Sequence, residues 1–149
     1  MVAQGFDLDR FVRAQDPLYG RVVAELEEGR KQTHWMWFVF PQIEGLGHSP
    51  MAQTYAIGSI DEARAYLDHP VLGPRLAACT DLVLQCEGIP LHTIFGSPDD
   101  RKFHSSMTLF ALASRGPSIF NAALDRYFEG RMDPKTLAIL NCEPGGERS

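Results

Sequence analysis

The 149-residue chain holds only three cysteines, and their spacing excludes a disulfide framework. Cys79 and Cys86 are seven positions apart, two turns on one helix face, about 10 Å along the axis and beyond a disulfide's reach. With Cys142 they read as small apolar residues of a reducing compartment. Lysine is equally scarce, with Lys31, Lys102 and Lys135 alone, and the formal net charge is −5. No basic excess exists to coat a phosphate backbone, so nucleic acid is not an expected partner. The longest apolar run, Trp35 to Phe40, is far too short to cross a membrane. Met1 to Gly5 lack the basic and apolar regions of a signal peptide, which leads to the expectation of a soluble cytoplasmic protein. The five histidines show no His-x-x-x-His spacing and the cysteines no Cys-x-x-Cys, so no metal or cofactor is expected. A Gly-x-Ser-x-Gly elbow for a serine nucleophile is missing too.

What remains is an ordinary globular composition, 44% hydrophobic and 22% charged, in a length suited to one domain. The expected domain is 1–149, with its core over about 6–140 and frayed ends at 1–4 and 143–149. Helix punctuation is dense. Asp16-Pro17, Ser49-Pro50, Ser97-Pro98 and Asp133-Pro134 each pair an N-cap type with a proline suited to a first helical turn. Ser59-Ile-Asp-Glu62 has capping-box spacing, and Gly29, Gly116 and Gly130 fall where helices should stop. Between these marks, stripes such as Leu18, Val22, Val23 and Leu26 have helical period. The spacing predicts a mainly α fold of seven or eight short helices. Only His34 to Phe40 reads as an extended segment.

Two stretches carry chemistry. His34-Trp-Met-Trp-Phe-Val-Phe-Pro-Gln42 puts both tryptophans directly before Glu44-Gly-Leu-Gly-His-Ser49. Trp35 and Trp37 diverge whether the segment is extended or helical, so one can pack inward while the other lines a cleft. An accessible indole beside Gln42 suits a flat ring, with Gln42 reading an amide or hydroxyl edge. Gly45, Gly47 and Ser49, before the next helix, suit a phosphate or carboxylate. The second stretch is Gly96 to Met107. Asp99 and Asp100 belong in a helix's first turn, while Lys102 shares a face with Ser105 and with Ser106. Asp100 or Glu44 is the candidate acid, base or sugar-hydroxyl acceptor, with Lys102 offsetting negative charge.

These residues resemble a known family. The run His34 to Gln42, Gly45-Leu-Gly-His-Ser49, Tyr66-Leu-Asp-His-Pro-Val-Leu-Gly-Pro-Arg-Leu76, and Lys102 with Ser105-Ser-Met-Thr-Leu-Phe110 look like the bacterial domain of unknown function 1810, over about residues 6 to 140. Its members have sometimes been labelled calpastatin, a disordered repeat-bearing inhibitor that this repeat-free globular composition does not match. The resemblance implies a mainly α, single-domain cytoplasmic protein and no established reaction. A more distant similarity is to the NADAR (YbiA-like) superfamily, which implies ADP-ribose and N-glycosidic chemistry. It rests on the order of an aromatic segment, Ile57 to Ala63, Asp99-Asp-Arg-Lys102 with Met107, and a following helix. Gln42 or Glu44 would have to stand where that superfamily has an acidic residue.

The leading expectation is therefore a pocket for a nucleotide or ADP-ribose-like compound, with N-glycosidic hydrolysis as the expected reaction if the protein is an enzyme. Trp35 or Trp37 would stack on the base, Gly45, Gly47 and Ser49 would hold phosphate, and Gln42, Asp100, Lys102 and Ser106 would meet the sugar. The alternative expectation is a non-catalytic module that docks a protein partner through an exposed Trp35–Phe40 patch.

Overall fold

A computed structural model describes residues 5–141; Cys142 and the ends expected to fray lie outside the described residues. Ten helices follow in order: α1 (Asp9–Gln15), α2 (Tyr19–Glu27), α3 (Met36–Val39), α4 (Pro50–Thr54), α5 (Ile60–Asp68), α6 (Leu72–Leu84), α7 (Leu91–Phe95), α8 (Asp99–Ala113), α9 (Ile119–Phe128) and α10 (Pro134–Leu140). The mainly α expectation holds, with more and shorter helices than the periodicity suggested.

Helix α8 is the axis of the molecule. Asp99 and Asp100 occupy its first turn, where carboxylates favour the positive end of the dipole, and no glycine or proline interrupts it. Phe103 and the whole run Ser105 to Ala111 are buried, because α5, α7, α9 and α10 pack around it. A helix covered on most sides has little reason to be amphipathic. Phe103 meets Phe95 of α7 at 5.0 Å and Phe40 at 5.1 Å between ring centroids, tying three elements through aromatic contacts.

The capping signals divide by mechanism. Ser49 and Asp133 accept hydrogen bonds from the Ala52 and Thr136 N–H groups and cap α4 and α10 as expected. Ser59 accepts from the Glu62 N–H at 3.1 Å, but the Glu62 carboxylate binds the Gly58 N–H at 2.7 Å and Arg10 at 3.1 Å, so half of the capping box forms. At Asp16-Pro17 and Ser97-Pro98 the expectation fails. Leu18 and Pro98 take the N-cap positions, without side-chain caps, and Asp16 pairs instead with Arg75 at 2.9 Å.

The extended reading of His34 to Phe40 is also corrected: Met36–Val39 is a single helical turn. An unbroken apolar run has no period to distinguish the two states. Extended pairing occurs a few residues later, in one parallel bridge between Ile43 and Ile57. There the Ile57 N–H donates to the Gln42 carbonyl at 2.9 Å and the Glu44 N–H to the Ile57 carbonyl at 2.8 Å, which fixes the backbone on both sides of Ile43.

Cys79 and Cys86 are buried and free, and burial pushes the Cys79 thiol up to about 11, so it stays protonated at neutral pH. Among the described residues, no helix is long and apolar enough to cross a membrane.

Candidate functional site

The aromatic strip and helix α8 come together. Lys102 Nζ sits 5.2 Å from the centroid of the Trp37 ring and 3.7 Å from the Asp99 carboxylate. Asp99 is also held at 2.9 Å by Lys31, whose Nζ lies 5.2 Å from the Trp35 ring. Two lysines thus flank one carboxylate, and each rests over one of the tryptophans.

The two indoles have different fates. Trp35 is fully buried and donates its Nε1–H to Glu25 Oε1 at 2.9 Å, so of the two alternatives it is the indole that packs inward. Trp37 is only partly buried and lines a narrow hollow of about 30 Å³ with Gln42, Glu44, Gly45, Gly47, Tyr55 and Lys102. Beside it lies a larger cleft of about 320 Å³. Gln42, Gly47 and Lys102 line both and form the wall between them. The backbone bridge at Ile43 and Ile57 positions Gln42 and Glu44 on one side, and the early turns of α8 supply Lys102 on the other. Gly47 is required at the shared wall, since a Cβ there would lie 2.5 Å from the Ala52 Cβ.

The larger cleft is bounded by Arg101, Lys102, His104 and Ser105 of α8, by Leu46, and by Asp133 and Lys135 at the start of α10. Three permanent cations therefore face one carboxylate in a protein whose net charge is −5. Converging cations over a low-dielectric floor concentrate positive potential and attract anions. Asp133 Oδ2 accepts from the Ser105 hydroxyl at 3.0 Å, the Thr136 N–H at 3.1 Å and the Thr136 hydroxyl at 2.6 Å, which holds the carboxylate still. The His104 ring stacks on Phe128 at 3.8 Å, and its Nε2 lies 2.8 Å from the Arg131 carbonyl oxygen.

Of the expected site residues, the structure gathers Trp37, Gln42, Glu44, Gly45, Gly47, Lys102 and Ser105 around the two hollows. Four others lie elsewhere. Trp35 is in the core. Ser49 is committed to its cap on α4. Asp100 faces His92 at 3.5 Å and lines neither hollow. Ser106 is buried, and its hydroxyl has no hydrogen-bond partner among the described residues. A single residue's rotation along a helix separates Ser105 at the cleft from Ser106 in the core. Ser106→Ala should therefore stabilise the protein by about 1 kcal/mol, because a buried hydroxyl without a partner carries a desolvation cost of that order. A denaturant melt reads this directly, and destabilisation by a similar amount would contradict it.

Arg101, His104, Asp133 and Lys135 were not singled out as site residues from the sequence. Asp133 was legible only as a helix cap. Nothing in local spacing connects residues 133 and 135 to residues 101 to 105; the packing of α10 on α8 does so.

The chain belongs to the family described as protein of unknown function (DUF1810), whose model matches residues 5–140. Among solved structures, it is similar to the crystal structure of the conserved hypothetical protein Rv1873 from Mycobacterium tuberculosis. The two are 55% identical, the match covers 93% of this chain and 99% of that one, and the TM-score is 0.90. No curated protein matches the chain.

Proposed function

We propose that the protein binds a small phosphorylated ligand of the nucleotide or ADP-ribose-like class in the cleft between the Gln42–Gly47 loop, α8 and α10. The observation that carries this reading is the concentration of Arg101, Lys102 and Lys135 around a cleft of about 320 Å³ in an acidic protein. That volume is near the lower end of known ligand sites, roughly 300 to 1,000 Å³. Lys102 and Arg101 supply charge-assisted hydrogen bonds to phosphate oxygens. Gln42 offers both a donor and an acceptor to a ligand hydroxyl.

Binding is the proposal, and hydrolysis of an N-glycosidic bond is not part of it. That reaction needs a carboxylate able to position water at the sugar carbon, and Asp100 is turned towards His92. Glu44 stands on the narrow hollow, and Asp133 is engaged in capping α10. The competing interaction module needs an exposed aromatic patch, whereas Trp35, Met36, Phe38, Val39 and Phe40 are all buried.

A thermal-shift series with AMP, ADP and ADP-ribose tests the proposal. Ligand at about 100 times its dissociation constant stabilises by about 2.7 kcal/mol, which should raise the melting midpoint by roughly 5 to 10 °C for a domain of this size. A midpoint unmoved by every phosphorylated compound at millimolar concentration would overturn the reading.

A further inference from the structure

Resting on the reading above, we infer that the cleft recognises the phosphorylated sugar of its ligand and not a base. Its ligand class is a phosphomonoester of a polyhydroxylated molecule of about pentose size.

Charge is the first argument. Arg101, Lys102 and Lys135 against Asp133 give the cleft a formal charge of +2, His104 left out of the count. A phosphomonoester carries about −1.5 to −2 near neutral pH, so one such group balances the lining.

Hydroxyl recognition is the second. Asp133 Oδ2 is occupied by Ser105 and Thr136, while Oδ1 makes no hydrogen bond among the described residues. The carboxylate is already oriented at the cleft wall, so a sugar hydroxyl can donate to it without the entropy of ordering a free side chain. Gln42, on the opposite loop, adds a second polar contact across the cleft.

Room for a base is the third argument, and here the structure departs from the stacking expected of Trp37. Trp37 lines the narrow hollow and not the larger cleft, and the hollow's volume of about 30 Å³ suits one or two water molecules. Lys102 Nζ lies over the indole at 5.2 Å. A purine seated there would have to displace the cation that the phosphate needs. Among the described residues the larger cleft has one aromatic ring, His104, and Phe128 covers one of its two faces. No indole, phenol or phenyl ring of the described residues lines this cleft, so a base gains little by stacking there and projects to solvent.

Isothermal titration of the full chain with ribose 5-phosphate, AMP, adenosine and inorganic phosphate tests this. Ribose 5-phosphate and AMP should bind within about threefold of each other, inorganic phosphate at least tenfold more weakly, and adenosine without measurable heat. Gln42→Ala should weaken ribose 5-phosphate several-fold and leave inorganic phosphate unchanged. AMP binding tenfold or more tightly than ribose 5-phosphate, or adenosine binding comparably to AMP, would overturn the inference while leaving a nucleotide site in place. Inorganic phosphate binding as tightly as ribose 5-phosphate would overturn the sugar assignment alone. Absence of binding by all three phosphorylated probes would overturn the inference, and the reading beneath it falls with it only if ADP and ADP-ribose also leave the melting midpoint unmoved.

Discussion

Replacing Lys102 with alanine should weaken binding of ribose 5-phosphate about tenfold to a hundredfold and leave the melting midpoint nearly unchanged. Lys102 belongs to both hollows and is the cation nearest their shared wall. A charge-assisted hydrogen bond contributes about 1.5 to 3 kcal/mol, and each 1.4 kcal/mol is tenfold in affinity. The stability side is small for a physical reason. The Lys102–Asp99 pair is 3.7 Å apart and partly exposed, a class of ion pair worth about 0 to 1 kcal/mol, and Lys31 still neutralises Asp99 at 2.9 Å. Lys102→Arg should retain much of the affinity, because the positive charge stays at the cleft. Calorimetry beside a thermal melt separates the two effects. Equal losses of affinity and stability would mean that Lys102 is structural.

The second large effect lies at Glu25, behind the site. Its Oε1 accepts from the Gln32 N–H at 2.8 Å, the Thr33 N–H at 3.1 Å and Trp35 Nε1–H at 2.9 Å, and its Oε2 from the Thr33 hydroxyl at 2.7 Å. Burial alone would raise this carboxyl, but the four donors outweigh it and hold the group down to about 2, from an ordinary 4.5. The group's folded value is thus depressed. Its stabilisation is complete above the unfolded value and is lost as pH falls from about 5 through 2.

Glu25→Ala leaves the buried Trp35 indole N–H, and two N–H groups and a hydroxyl of a half-exposed loop, without their acceptor, and should cost about 3 kcal/mol. The midpoint near pH 7 should fall by roughly 6 to 12 °C. Glu25→Gln keeps one acceptor and should lie between, with a flatter acid limb than the wild type. Melting curves from pH 2.5 to 7 check this, and a Glu25→Gln protein with the wild-type acid limb would contradict it. Because the segment from Gln32 to Trp35 joins Lys31 to α3, Glu25 also holds the frame in which Trp37 meets Lys102.

The punctuation that the chain writes locally was readable. Ser49, Ser59 and Asp133 cap the helices that follow them, since a cap depends on residues three positions away. Asp16 failed as a cap because Arg75, far along the chain, claims its carboxylate. The segment His34 to Phe40 could not reveal its conformation, as every position in it is apolar or aromatic. That its tryptophans diverge was legible; which one is buried was not. Glu25 decides it by taking the Trp35 indole N–H, a pairing across ten positions that no periodicity encodes.

The candidate site was legible on one side. Gln42, Gly47, Lys102 and Ser105 stand together as the two motifs suggested, and the glycine at 47 answers to a close approach by Ala52. The other side is made of residues whose local reading was complete without it. Asp133 satisfied a helix terminus, and nothing in the local spacing marked Arg101 or Lys135. Only the docking of α10 beside α8 turns a cap and two surface charges into the wall of a cleft.

A crystal structure of the protein saturated with ribose 5-phosphate tests the central claim most directly. The phosphate should lie within hydrogen-bonding distance of Lys102 and of Arg101 or Lys135, with a sugar hydroxyl on Asp133 or Gln42. An empty cleft at saturating ligand, or phosphate bound on another face of the molecule, would contradict it.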